Sequence, residues 1–152
     1  MRELLFRGKS IDAGEWVEGY YQKRHGSNGK FRHFIFWSKS QTDYGYVEVD
    51  PKTLCQYTGL NDKNGQRIWE NDIVSCEHEK YKELKEYEFG QFFEEPVKYI
   101  RNYKVEFVNT GFSYGYPLRN KSIHFMITGS VIDNHNVKVI GNIFDNKELL
   151  GR

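Results

Sequence analysis

Residues 56–74 have the sequence QYTGLNDKNGQRIWENDIV, which contains two turn signals and two short strands. Asn64-Gly65 predicts a type I′ hairpin turn, because Asn and Gly tolerate the positive φ that both central positions require. A short strand is predicted at residues 66–69, and Asn71 then suits a left-handed turn position. The β-branched pair Ile73-Val74 begins a buried strand. This stretch therefore predicts a fold, and none of its side chains forms a recognisable catalytic set.

The composition extends the β interpretation to the whole chain of 152 residues, which is 16% aromatic and contains fourteen glycines. A formal charge of +1 gives no overall attraction to nucleic acid or to a membrane. No apolar run approaches the ~18 residues of a membrane-spanning helix, and Met1-Arg2-Glu3 does not open a signal peptide. Two cysteines, Cys55 and Cys76, are too few for a disulfide framework. We therefore expect a soluble, cytoplasmic protein.

The pattern of strands predicts an N-terminal β unit at residues 1–60 and an SH3-like small barrel at residues 61–152. Residues 77–98 hold seven Glu and four Lys, so a partly helical insertion is predicted within residues 77–101. Residues 80–87 are expected to form a marginal helix or a long excursion on the surface. Asp145 and Glu148 have capping-box spacing, which predicts a short C-terminal helical turn. The expected fold is thus mostly β.

A basic, aromatic stretch is the first candidate site, because residues 19–42 contain no Asp or Glu. Cations beside aromatic rings suit single-stranded nucleic acid, whose phosphates are neutralised while its bases stack. Strand alternation puts Trp37 on one face of its strand and Arg32 and Phe36 on the other. The alternative is a strand buried between layers or in a subunit interface, beside a solvated basic loop. The candidate nucleic-acid-binding residues are Lys23, Arg24, Lys30, Arg32, Lys39, Tyr21 and Trp37.

A second candidate surface is the apolar segment at residues 89–93, which is too hydrophobic to lie in water on a mobile loop. Phe89, Phe92 and Phe93 are predicted to fold back on the barrel or to contact a partner chain. Self-association is the favoured form of that contact, because the edge strands of small barrels need to be covered. A different protein is the alternative partner.

Catalytic patterns are weak in this sequence. Glu70 and Asp72 are the only suggestive carboxylate pair, and Asp72 is expected to bind backbone amides at the turn. Cys76 and His78 share one strand face, but two ligands do not make a metal site. The sequence therefore predicts no catalytic residue, no metal, no cofactor and no enzyme. The rival hypothesis is a small enzyme at the barrel mouth, which a concave pocket with converging Asp72, Glu70 or His residues would favour.

Three segments give the chain a resemblance to a known family. They are residues 6–9 with 14–19, residues 50–74, and residues 139–146 with Leu149-Leu150. Together they resemble the YopX family of phage and prophage proteins. Asn71 stands where that family usually has Gly, and residues 77–101 match nothing in it, as expected of a variable insertion.

The resemblance implies one mostly β domain over residues 1–152, encoded by a phage or an integrated prophage. It implies no reaction, and no site residues can be transferred from the family. We therefore expect a non-enzymatic phage accessory protein in the host cytoplasm, which binds itself, a host or phage protein, or nucleic acid.

Overall fold

The computed structural model describes residues 4–38, 40–80, 96–109, 114–119 and 124–151, and 56% of these residues lie in strands. The described residues also contain one short α-helix, α1 (Gly129–Asn134), and two 3-10 helices, Pro51–Thr53 and Lys147–Gly151. The mostly β prediction is confirmed. The strands are β1 (Phe6–Lys9), β2 (Trp16–His25), β3 (Phe31–Ser38), β4 (Tyr44–Glu48), β5 (Cys55–Asn61), β6 (Arg67–Trp69), β7 (Asp72–Lys80), β8 (Val97–Lys104), β9 (Val108–Asn109), β10 (Tyr114–Gly115), β11 (Pro117–Arg119), β12 (His124–Met126) and β13 (Lys138–Asn142).

The first half of the chain forms an antiparallel sheet with the strand order β4-β3-β2-β1-β5-β6. This sheet is strongly curled, because a bridge between Ser10 and Val49 brings the end of β4 against the end of β1. Ile35 and Val49 fill the inside of the curl and are completely buried. The opposite face of β2, β3 and β4 is therefore turned outward.

The turns of residues 56–74 show one correct and one wrong prediction. Asn71 has a φ of 64°, so its left-handed conformation is confirmed. Gly65 has a φ of 83°, but Asn64 is not in the positive-φ region, so the type I′ assignment is wrong. The reason is Asp62, whose carboxylate accepts hydrogen bonds from the backbone amides of Asn64, Gln66 and the distant Val139. Its side chain holds a five-residue loop between β5 and β6 in place of a two-residue turn.

The second half of the chain packs around one core. Strands β13, β7 and β8 form an antiparallel sheet, and β9–β10 and β11–β12 form two hairpins. The core combines residues of the sheet, such as Val74 and Tyr103, with Leu118 of β11 and Ile132 of α1. Helix α1 was not predicted; it begins at the Thr128 N-cap, whose side chain accepts from the Val131 amide. Six residues are too few to show a helical period in the sequence.

The described strands do not close into a barrel, because β4 and β6 end the large sheet and β13 and β8 end the small one. Strand β5 pairs with both β1 and β6, so the large sheet runs across the predicted boundary at residue 60. The C-terminal helical turn is present as the 3-10 helix Lys147–Gly151.

The predicted insertion begins and ends in regular strand. Lys80 pairs with Val97, and Glu77 pairs with Ile100, so the two ends of residues 77–101 extend the β7–β8 hairpin. Lys80 is therefore a strand residue, and the other residues of the predicted helix, 81–87, lie outside the described residues. The basic stretch was expected to contain a polar loop at residues 23–30, but β2 continues to His25 and β3 begins at Phe31, so the connection is limited to residues 26–30.

Candidate nucleic-acid interface

Three aromatic side chains form a line across the outer face of the large sheet. Tyr20 of β2 lies opposite Phe36 of β3, which lies opposite Tyr46 of β4. Their exposed fractions are 52%, 37% and 62%, which is unusual for three large adjacent rings. We call Tyr20, Phe36 and Tyr46 the aromatic row. Its rings are available for stacking because they are positioned by regular strand pairing and left uncovered by the described residues.

Two arginines flank the aromatic row on the same face. Arg24 lies opposite Arg32, and between this pair and the row lies Phe34, which is buried. The Arg24 guanidinium carbon is 5.4 Å from the ring centre of Phe34 and 5.4 Å from that of Tyr46. The Arg32 guanidinium carbon is 5.1 Å from the Phe34 ring centre. Cation–π contact with these rings holds both guanidinium groups against the sheet, next to the aromatic row.

The two arginines differ in their polar partners. Arg32 Nε donates to Glu48 Oε1 at 2.9 Å, and Arg32 Nη2 binds Glu48 Oε2, so the pair is bidentate. This hydrogen bonding raises the pKa of Arg32 and lowers that of Glu48. Arg24 instead donates from Nε and Nη2 to the neutral amide oxygen of Gln22, at 3.0 and 2.7 Å. The charge of Arg32 is thus compensated, whereas that of Arg24 has no acidic partner among the described residues.

The residues selected from the sequence do not all lie on this face. Arg24 and Arg32 do, but Tyr21, Lys23 and Trp37 belong to the opposite face, since each is offset by one position from an outward residue. Tyr21 is engaged there, because its hydroxyl is 2.8 Å from His33 Nδ1. Lys30 is exposed in the turn that precedes β3, and Lys39 lies outside the described residues.

Tyr20, Phe36 and Tyr46 were absent from the sequence-derived set, although the sequence pattern was sufficient to find the first two. In a strand, residues two or four positions apart share a face. Counting back four from Arg24 gives Tyr20, and counting forward four from Arg32 gives Phe36. The partner residue Tyr46 requires the β3–β4 register, which no local pattern supplies.

The predicted partner interface is not tested by the structure. Phe89, Phe92 and Phe93 all lie outside the described residues. The proposal of a contact through these three side chains therefore stays a prediction.

A polar cavity of about 380 Å³ forms a second candidate site where β7 and β8 meet the end of α1. His78 is buried beside it, with Nε2 2.8 Å from the Tyr103 hydroxyl, and its ring centre is 5.2 Å from that of His135. His135 Nδ1 is 2.9 Å from the Glu77 carbonyl oxygen, so Nδ1 must carry the proton and donate it. The lining residues are Glu77, His78, Glu79, Lys98, Tyr99, Asn134 and His135.

Two imidazoles converging in a cavity are the feature that the enzyme hypothesis required. Burial, together with the neighbouring His135 and Arg101, lowers the pKa of His78. Among the described residues, the lining contains no serine, threonine or cysteine, so this part of the cavity offers acid–base groups without a side-chain nucleophile of those types. The carboxylate of Glu77 is also engaged by Asn136 Nδ2. The cavity therefore supports a functional role less strongly than the aromatic row does.

A buried ion pair joins the two halves of the protein. Arg7 of β1 binds Asp72 of β7 through Nη2 and Oδ1, and both residues are buried. Asp72 Oδ2 also accepts the Trp69 amide at 2.8 Å, as expected for a turn aspartate. The Arg7 guanidinium carbon lies 4.6 Å from the Trp16 ring centre and 5.5 Å from that of Trp69. Burial, which outweighs Arg7 and the Trp69 amide, raises the pKa of Asp72 to about 6.

The C-terminal segment closes this cluster. Asp145 Oδ2 accepts from Trp16 Nε1 at 2.9 Å, and Asp145 Oδ1 binds Lys9 Nζ. These bonds, with one from Asn142, lower the pKa of Asp145 to about 2. We call Arg7, Trp16, Trp69, Asp72 and Asp145 the buried node, although Asp145 lies at its surface. All three segments that carry the family resemblance contribute to the node, which gives that resemblance a structural basis.

Two further findings concern the described residues only. No group of three or more His, Cys, Asp or Glu side chains there has an arrangement that could hold a metal ion. No helix in the same part of the chain is long and apolar enough to cross a membrane.

The fold and its sites define a small, mostly β protein in which a buried node connects two antiparallel sheets and an aromatic row faces outward. The family model described as YopX protein matches residues 5–151, nearly the whole chain. The chain therefore belongs to the YopX family, as its three segments indicated. A comparison with curated proteins gives no match.

Proposed function

We propose that this protein is a non-enzymatic binding protein that takes single-stranded nucleic acid on the outer face of its large sheet. The observation that carries the proposal is the aromatic row, three exposed rings in register across three strands, with Arg24 and Arg32 beside it. Every base has a face that stacks on an aromatic ring, and each such contact contributes roughly 1–3 kcal/mol. Guanidinium groups next to the rings supply charge for the phosphates.

The geometry favours unpaired bases. Three adjacent strands span about 10 Å, which suits two or three splayed bases stacked on successive rings. The bases of a duplex are already stacked on one another and present their edges, so they gain little from exposed rings. With a net charge of only +1, the protein gains its affinity from stacking at this one face, with a small contribution from phosphate neutralisation.

The test compares two phenylalanines of one strand by fluorescence anisotropy with labelled single-stranded and duplex oligonucleotides. Phe36→Ala removes the central ring of the row, and we expect Kd for single strands to rise about 10-fold, the equivalent of one lost stacking contact. Phe31→Ala is the matched control, because Phe31 is 48% exposed but lies on the opposite face of β3. No binding by the wild-type protein, or equal losses in the two variants, contradicts the proposal.

A second candidate function is self-association through β4, an edge of the large sheet. Strand β4 pairs with β3 without a bulge, and its sequence Tyr44–Glu48 contains no Pro or Lys, the usual protections of an edge. The Glu48 carbonyl of this strand already accepts the Ile11 amide at 3.0 Å. A second copy can extend the sheet by pairing with the outward backbone groups of Tyr44 and Tyr46.

We expect light scattering at micromolar concentration to show dimers, and Tyr44→Lys to return the protein to monomers. Tyr44 is 62% exposed, and a lysine at an edge disfavours pairing. Ile100→Lys, at a residue 66% exposed on β8, is the control and should leave the dimer intact. A monomeric wild-type protein contradicts this candidate.

Two finer statements complete the proposal. We propose that residues 61–152 have an SH3-like arrangement, supported by the single core that the small sheet shares with β11 and α1. We also propose that the protein is a phage or prophage accessory protein of the host cytoplasm, supported by the character of the family that it resembles. An experimental structure of the complete chain tests the first, and the genomic neighbourhood of the gene tests the second.

A further inference from the structure

We propose that Glu48 is a specificity-determining residue of the outer sheet face that carries the aromatic row. Glu48 binds Arg32 and so prevents it from contacting phosphates, which leaves Arg24 as the phosphate-contacting cation. This inference rests on the proposed function and concerns how the same face selects its ligand. It concerns two arginines that lie directly opposite each other in the β2–β3 register, yet have different electrostatic surroundings.

The Arg32–Glu48 pair is held in place from several sides. Glu48 lies opposite Phe34 in the β3–β4 register, one position along the face from Tyr46, so its carboxylate is beside the aromatic row. Both carboxylate oxygens bind Arg32, while the guanidinium lies over Phe34. A bidentate pair uses the same planar donors that would otherwise bind a phosphate. Arg32 therefore cannot contact a phosphate in this way without giving up Glu48.

Arg24 is arranged differently. Its guanidinium rests against Phe34 and Tyr46, and its two donated bonds go to Gln22, which is uncharged. A neutral amide orients the guanidinium but does not compensate its charge. Arg24 is thus held in position with its charge available, on the β2 side of the face.

The different polar partners of Arg24 and Arg32 determine how a single-stranded nucleic acid lies on the face. The Glu48 carboxylate disfavours phosphates on the β4 side, whereas Arg24 attracts them to the β2 side, at the turn end of the β2–β3 hairpin. Bases then lie over the aromatic row. One of the two cations is neutralised, so a ligand that offers only backbone charge, such as duplex DNA, binds weakly. Ligands with unpaired bases, which also stack on the rings, are favoured.

The experiment measures the Kd of a labelled single-stranded oligonucleotide at about 50 and about 200 mM salt for a set of full-length variants. Glu48→Gln keeps the size of the side chain and releases Arg32. We expect tighter binding, and an increase of about 0.7 in the slope of log Kd against log salt, the value for one additional phosphate contact. Between the two salt levels this is about a 3-fold larger change in Kd. The affinity of this variant for duplex DNA should increase as well, which reduces the preference for single strands.

The control is Asp133→Asn, which makes the same change in net charge. Asp133 also pairs with a cation, Lys63, at 2.8 Å, but it belongs to α1, which packs on the core of the second half of the chain. This variant should bind like the wild-type protein. Two arginine variants complete the set: Arg24→Gln should reduce the slope by about 0.7, and Arg32→Gln should change it only in the Glu48→Gln background.

The outcomes separate the two proposals. Wild-type binding with the expected gain in Glu48→Gln alone supports the inference. Wild-type binding with equal effects of Glu48→Gln and Asp133→Asn, or with equal losses in the two arginine variants, overturns the inference and leaves the proposed function standing. If neither the wild-type protein nor Glu48→Gln binds, the proposed function is overturned, and this inference with it.

Discussion

Replacing Arg7 by leucine is expected to lower the free energy of unfolding by about 3–5 kcal/mol at pH 8, because it leaves the Asp72 carboxylate charged and unpaired in the core. Asp72 has an exposed fraction of 1%, and among the described residues it then keeps only the hydrogen bond from the Trp69 amide. The substitution also removes a cation from between the rings of Trp16 and Trp69. Urea unfolding followed by tryptophan fluorescence measures the loss.

Arg67→Leu is the control for this change, since Arg67 pairs with Glu18 at the surface, where both side chains are nearly half exposed. An exposed pair contributes about 0–1 kcal/mol, so this variant should remain close to the wild-type protein. If Arg7→Leu and Arg67→Leu lowered the free energy of unfolding equally, burial of the Arg7–Asp72 pair would not explain the effect.

The Arg7 prediction has a pH dependence whose sign follows from the pKa of Asp72. The folded-state value of about 6 lies above the ordinary 3.8, so the folded protein binds this proton more tightly than the unfolded chain. The Asp72 contribution therefore favours folding below pH 4 and is lost as the pH rises through about 6. Without Arg7 the pKa rises further, and the leucine variant should lie closer to the wild-type protein at pH 5 than at pH 8. A difference that does not change with pH would rule this account out.

Gly19→Ala is expected to destabilise the protein by about 3 kcal/mol or more, the upper end of the usual range for overpacking. A Cβ at this position would lie 2.1 Å from the Phe36 carbonyl oxygen and 3.1 Å from Ile35 Cγ2. The carbonyl belongs to the backbone of β3 and cannot rotate away, so β2 and β3 must separate. Because Gly19 adjoins Tyr20, the same substitution should also disturb the aromatic row.

Circular dichroism and urea unfolding measure this effect, with Gly129→Ala as the control. A Cβ on Gly129 would meet no atom within 4 Å among the described residues, and alanine is the better helix former, so this variant should be equal to or slightly more stable than the wild-type protein. A Gly19→Ala protein within about 0.5 kcal/mol of the wild type would show that the two strands can move apart at little cost.

The sequence predicted those parts of the fold that depend on neighbouring residues. Asn71 adopts the left-handed conformation expected of it, and Asp72 binds a backbone amide at the turn. The Asn64-Gly65 turn type was wrong because a side chain, Asp62, competes for the backbone amides of the loop. Local propensity cannot register such competition when the third amide comes from Val139, 77 positions away.

The candidate sites depended more strongly on topology. Alternation along one strand identifies the residues that share a face with Arg24 and Arg32, and this reasoning reaches Tyr20 and Phe36 but not Tyr46. His78 and His135 meet only because β7, β8 and α1 pack together, since their sequence spacing has no metal or catalytic pattern. The Arg7–Asp72 pair spans 65 positions and was not predicted, because a lone arginine in a short strand indicates no partner.

The buried node also bears on the synthesis of the protein. Its outer bonds join Trp16 and Lys9 to Asp145 across 129 and 136 positions, so the N-terminal strands emerge from the ribosome long before their final partner does. Until Asp145 emerges, Trp16 lacks the contact that covers one of its sides. Arg7 is likewise unpaired until Asp72 has been synthesised. Contacts of such high sequence separation form late and slow the overall reaction. The nascent chain therefore exposes Trp16 for most of its synthesis, until Phe144 and Asp145 emerge and pack against it.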